Sequence, residues 1–158
     1  TKENIELFER QKVLSKEEVQ SRYEILMDEY EKQINIEALT MLDIAKKDIL
    51  PAASKFSKEL TDTIANKKAI GIDLTYELET AKKVSEYLTE AYQALITLEK
   101  DVKKLHSIDD FEKSAFYVRD FIIQDMAALR KPCDELEVVT SNEAWPFPTY
   151  GKLLFGIL

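Results

Sequence analysis

His106 is the one histidine of this chain and Cys133 the one cysteine, so chemistry that depends on either residue type has few places to sit. A carboxylate-bridged metal pair in a helical protein needs Glu-x-x-His on two helices. Lys103 stands three residues before His106, and the pattern cannot be written even once. Lys103 and Lys104 would neutralise a phosphate carried on His106, yet the ring falls at an expected helix end beside Asp109 and Asp110. The reading adopted there is a C-terminal cap favourable to the helix dipole. Cys133 follows Arg130, Lys131 and Pro132, a basic setting that lowers a thiol pKa. A lone helical cysteine is first of all a small apolar filler, and that is the expectation. Carboxylates are abundant, as at Glu17 and Glu18, Glu29 and Glu31, and Asp109 and Asp110, and no pair of them stands out. Glu37 is different because it lies on the apolar stripe of Ile-Asn-Ile-Glu-Ala-Leu-Thr-Met, where a charge is costly without a partner. It is expected to pair with a lysine or arginine of another helix, or to cap a contact to another domain, rather than to do acid–base work. Gly71, Gly151 and Gly156 stand alone, so no phosphate-cradling loop can be written. The expectation is a chain with no catalytic, cofactor-binding or metal-binding residue of its own.

Charge narrows the partners. Thirty acids against 22 bases leave a formal net charge of -8, and a surface of that sign repels phosphate backbones and anionic lipid. Neither nucleic acid nor membrane is an expected partner. There is no run of 18 apolar residues and no charged-then-apolar leader, and a single cysteine suits a reducing compartment, so the expected location is the cytoplasm. The 158 residues, 45% apolar and 33% charged, suit one folded domain. Three glycines are far below the roughly 7% of average proteins, too few for the tight turns of a sheet protein. The start at Thr1 rather than Met suits a piece of something longer, and equally a chain trimmed at its end.

The elements that would position these residues are helices. The opening TKENIELFERQKVL is short and poorly periodic and reads as a lead-in, 1–15. Ser15-Lys16-Glu17-Glu18 is a capping box that starts a helix at Lys16. Val19, Tyr23, Leu26, Tyr30, Ile34, Ala38, Met41, Ala45 and Ile49 then recur at steps of three or four, a stripe that a helix buries. Pro51 predicts a kink or a restart, with Ala53, Phe56, Leu60 and Ile64 carrying the stripe to about Ala65. A connection around Gly71 follows. Leu74, Ala81, Leu88, Leu95 and Val102 are spaced by seven, and Val84, Ala91, Leu98 and Leu105 repeat that interval, a seam that only Glu77 breaks. The helix should end near His106, with Ser107 capping a third helix on which Ile108, Ala115, Ile122, Leu129 and Leu136 recur every seven residues. Pro132 should bend it, and its end should fall near Thr140 to Asn142. Three long segments of about 33 to 35 residues, each about 50 Å long, match in length. Short connections make them antiparallel neighbours. The fold class is all-α: an elongated up-down antiparallel bundle of three to four long helices over 16–141, followed by an extended aromatic and proline-rich tail, 142–158. Trp145, Phe147 and Tyr150 of that tail must pack on something.

Two stretches carry a resemblance. Ser21 to Ala52, with its Ile34-to-Met41 core, and Asp134 to Phe155, with Trp-Pro-x-Pro-Thr-Tyr at Trp145 to Tyr150, resemble the C-terminal helical region of the type III glutamine synthetases, the large-subunit bacterial form. The resemblance implies a parent glutamate–ammonia ligase of nitrogen metabolism that makes glutamine from glutamate, ammonia and ATP with magnesium or manganese. It implies an active site upstream of this region, and partners in the missing catalytic domain and in neighbouring subunits of stacked hexameric rings. No catalytic motif of the family appears here. Asn35, Glu37, Thr40, Trp145, Phe147 and Tyr150 are the motif residues expected to make interdomain contacts. A free-standing helical interaction module with no enzymatic parent is the alternative.

Overall fold

The computed structural model describes residues 1–148 and 150–156, with Tyr150 and Gly151 described by backbone alone. All regular structure among the described residues is helical, and two of the helices are long. Helix α1, Lys2–Arg10, occupies most of the stretch expected to be an irregular lead-in. Thr1 caps it by accepting from Asn4 N at 3.4 Å, and Glu3 and Arg10 complement the helix dipole at its two ends. It stops in a Schellman turn: Lys12 takes a positive φ of 54°, while Lys12 N donates to Glu9 O and Val13 N to Phe8 O.

Helix α2, Lys16–Ile44, opens on the expected capping box, with Ser15 Oγ accepting from Glu18 N at 3.2 Å and Ser15 N donating to Glu18 Oε2 at 2.7 Å. It does not break at Pro51. A π-helical turn, Ala45–Ile49, leads directly into α3, Leu50–Ala69, and Leu50 N donates five residues back to Ala45 O. The wider turn relieves the crowding between the proline ring and the preceding carbonyls that would otherwise force a restart. Lys16 to Ala69 is therefore one helical run of about 80 Å at 1.5 Å per residue, so the expected match in length among three segments does not hold. Gly71, at φ 72°, ends α3 in a second Schellman turn, with Gly71 N on Lys68 O and Ile72 N on Lys67 O.

Helix α4, Thr75–Leu105, ends with His106 at its C-cap, as the sequence predicts. The next N-cap is Asp110, not Ser107: Asp110 Oδ1 accepts from Lys113 N at 2.8 Å, whereas Ser107 Oγ donates back to Lys104 O at 2.7 Å. A carboxylate one turn later is the better acceptor for the first free amides. Helix α5, Phe111–Tyr117, passes through a second π-helical turn, Val118–Ile122, into α6, Ile123–Val139, with Ile123 N donating to Val118 O. Pro132 sits buried inside α6 without ending it.

Helix α4 packs against both other runs, which also touch each other through α2 and α5. Asn35 meets His106, Lys46 meets Glu99 at 3.1 Å and Lys67 meets Glu77, so residue numbers fall along α4 as they rise along α2 and α3. Tyr117 meets Asp101 and Tyr87 lies beside Glu135, the same inversion against α5 and α6. These neighbours are antiparallel. The heptad seam is the core: Val84, Ala91, Leu95, Leu98, Val102 and Leu105 are buried against Ala38, Leu42, Ala53 and Leu60 on one side and Val118, Ile122, Leu129 and Leu136 on the other. Glu77 interrupts the seam because Lys67 of α3 reaches it across the connection and holds its carboxyl below the usual range.

The α2 stripe is buried only from Ala38 onward. Tyr23, Leu26 and Tyr30, expected in the core, are exposed. The reason is reach: α4 ends opposite Asn35, so the first half of α2 projects past it as an arm touched by α1 and by the start of α5. Phe111, at the start of α5, is likewise exposed and meets Tyr23 edge-on at 6.3 Å. The C-terminal segment is not extended throughout, because Tyr150–Phe155 form a short helix, α7, once Pro146 and Pro148 are passed.

Candidate functional site

The six motif residues fall in two separate places. Asn35, Glu37 and Thr40 share the middle of α2, while Trp145 and Phe147 follow the C-terminal end of α6. Asn35 is half-buried, and its Oδ1 lies 3.3 Å from His106 Nε2, tying α2 to the C-cap of α4. Thr40 is exposed and spends its hydroxyl on Ile36 O at 2.8 Å. Glu37 is exposed and accepts from Gln33 Nε2 at 2.7 Å on its own helix. The expected cation from another helix is not its hydrogen-bond partner, because the exposed face of α2 lets a neighbour one turn away satisfy the carboxylate in water. Trp145 packs half-buried on the core and meets Phe147 edge-on at 6.2 Å. The side chain of Tyr150 lies outside the described residues.

A groove of about 520 Å³ runs between α2 and α6 under the motif, lined among others by Glu37, Thr40, Met41, Met126, Arg130 and Cys133. Its floor is apolar. Arg130 at its rim points Nε at Asp134 Oδ2, 3.3 Å away, along α6. Cys133 is buried, and burial together with Asp134 pushes its thiol up to about 11, which makes it an inert filler, as expected, rather than a nucleophile. No group of three His, Cys, Asp or Glu among the described residues could hold a metal ion. The residues present do not fit the magnesium, manganese or ATP that the resemblance implies for a parent enzyme. The groove is built for apolar contact.

One polar cluster escaped the sequence reading. Tyr117 Oη donates to Asp101 Oδ1 at 2.9 Å, and Asp125 neighbours Asp101. Burial and the neighbouring Asp101 push the Asp125 carboxyl up to about 6, and Oδ2 of Asp125 is buried without a partner. Burial, then the bond to Asp101, pushes the Tyr117 hydroxyl up to about 12. Lys104 Nζ sits 4.9 Å over the Tyr117 ring. The available signal was the position of Asp125, three residues after buried Ile122 and four before buried Leu129, on one helical face. The cluster ties α4 to α5 and α6.

Comparison with known proteins gives these surfaces a context. A family model described as the glutamine synthetase C-terminal domain matches residues 1–68. A glutamine synthetase of Butyrivibrio fibrisolvens is 36% identical over 157 residues, which cover 98% of this chain and 22% of that protein. A type-3 glutamine synthetase of Dictyostelium discoideum is 30% identical over 165 residues, with the same coverage of each. A glutamine synthetase of Bacteroides fragilis (strain YCH46) is 24% identical, with 92% of this chain and 21% of that protein aligned. The chain thus spans about a fifth of the length of the curated relatives it matches. With alignments that run over nearly its whole length and a family match to the C-terminal domain, the chain belongs to the glutamine synthetases, as a C-terminal region of that family, the type-3 form among its relatives.

Proposed function

We propose that this chain is the structural and assembly domain at the C-terminal end of a cytoplasmic glutamate–ammonia ligase, which joins glutamate and ammonia at the expense of ATP with magnesium or manganese. The observation that carries the reading is the length relation: the chain aligns along 98% of itself to only 22% of a glutamine synthetase. Catalysis belongs to the remainder of the parent. On this reading 16–141 act as an elongated up-down antiparallel bundle, 1–15 lead into it, and 142–158 dock. Asn35, Glu37, Thr40, Trp145, Phe147 and Tyr150 are the contact candidates toward the catalytic domain and toward neighbouring subunits of stacked hexameric rings. Trp145 and Phe147 support this because aromatic side chains of that size dominate interface energetics when they meet pockets.

The test is deletion of Asn142 to Leu158 from the full-length parent. Loss of oligomer mass by size exclusion, with turnover falling alongside it, is the expected result. An intact and fully active oligomer would reduce the tail to a lid on the bundle core.

A further inference from the structure

Helix α1 buries none of its side chains. An isolated helix of nine residues does not hold in water, where about 12–15 residues are the marginal length, and short helices in proteins are held by covering an apolar face. Here the cover is thin. A groove of about 570 Å³, lined in part by Ile5, Phe8, Val19 and Tyr23, runs between α1 and the first half of α2. The α2 arm under it is only partly covered, with Tyr23 meeting Phe111 edge-on and donating to Glu112 of α5. Tyr23, Leu26 and Tyr30 stand at steps of three and four on one helical stripe, and Leu26 is 64% exposed. Val13 in the connecting turn is 62% exposed and Leu7 of α1 45%. Single exposed apolar residues are ordinary, but a stripe with an adjoining helix that has no fully buried side chain marks a contact surface.

Two observations say what covers it. The family match to residues 1–68 takes in the whole arm, whose apolar side chains add no fully buried residue to the core of this chain ahead of Ala38. The chain is 22% of the length of its relatives and matches their family as a C-terminal domain, so the remaining polypeptide enters at Thr1, the residue that caps α1. A surface on the same polypeptide meets the arm as an intramolecular partner, which favours it over a free one. Resting on the function proposed above, we propose that the α1–α2 arm is the seat of the upstream, catalytic part of the same parent polypeptide. The surface that covers the stripe is accordingly apolar.

The experiment is hydroxyl-radical footprinting of the full-length parent, both assembled and dissociated to protomers. Side chains of Leu7, Tyr23, Leu26 and Tyr30 are followed against Tyr76 and Val138, which are exposed elsewhere in the chain. Labelling of the arm should fall several-fold below that of the reference residues in both states, and Leu26→Glu should restore labelling at Tyr23 and Tyr30. Protection found only in the assembled state would assign the arm to a second copy and overturn the proposal. Labelling equal to Tyr76 and Val138 in both states would overturn it as well, while the tail deletion still reports independently on the assembly reading. A reading frame without a ligase upstream of Thr1 would overturn both.

Discussion

Asp101 and Asp125 are two carboxyl groups held at the junction of α4 with α6, with a tyrosine hydroxyl donating to the first of them. Like charges at such range cannot both ionise freely, and the pair keeps a proton that an unfolded chain has already released. An unfolded aspartate has a pKa of about 3.9, whereas burial and Asp101 bring Asp125 in the fold up to about 6. Between these values the folded state binds more protons, so stability present below about pH 4 is lost as pH rises through 6. Asp125→Asn should remove that loss. The difference in melting temperature between variant and wild type should widen in the variant's favour from about pH 4 to about pH 7. A difference that stays constant across the window would show that the carboxyl is solvated. Glu99 works in the opposite sense, since Lys46 and then Lys103 hold its carboxyl below the usual range, which is why a difference between variants and not a single curve is the quantity to read.

At the scale of elements, the heptad seam of α4 carries the stability of the bundle. Leu95 is 2% exposed and packs at the centre of the row from Val84 to Leu105. Leu95→Ala removes three buried carbon atoms and leaves a cavity between two flanking helical runs, at a cost of about 2 to 5 kcal/mol. Denaturant unfolding measures this directly, and an unchanged midpoint would mean that the seam faces solvent. The first helical run makes the contrasting case. Pro51 reads as a kink or a restart because it removes one hydrogen bond and crowds the preceding turn. The chain instead widens one turn at Ala45–Ile49 and continues, since Ala45 and Ala53 on either side are buried against the core and hold both halves in line. Packing of that apolar face outweighs a local propensity worth about 3 kcal/mol.

At the scale of the whole molecule the described residues leave apolar side chains uncovered toward both ends, on the α2 arm and at Leu153 to Phe155. Its described residues hold neither a metal-binding cluster nor an ionised nucleophile, and the apolar groove beneath the α2 motif has no catalytic pair across it. The chain by itself should show no turnover with glutamate, ammonia, ATP and magnesium or manganese. A coupled assay for phosphate release checks this, and turnover above a heat-treated control would place a reaction centre where none is visible. No helix among the described residues is long and apolar enough to cross a membrane.

Much of this was written in the order of residues. The shortage of glycine, the capping box at Ser15, the sevenfold spacing from Leu74 to Leu105 and the Trp-Pro-x-Pro-Thr-Tyr signature determined an all-helical chain, its longest seam and its family resemblance, because caps, periodicity and motifs are local properties. Tertiary structure decided which stretch of an apolar stripe is covered. Tyr23, Leu26 and Tyr30 have the same spacing as Ala38 and Ala45, and only the length of α4, ending opposite Asn35, separates the exposed set from the buried one. It also decided the pairing of Asp101 with Asp125 and the partner of Glu37. Periodicity says which residues share a face of a helix; what stands opposite that face depends on where distant segments end, and that information lies in the fold.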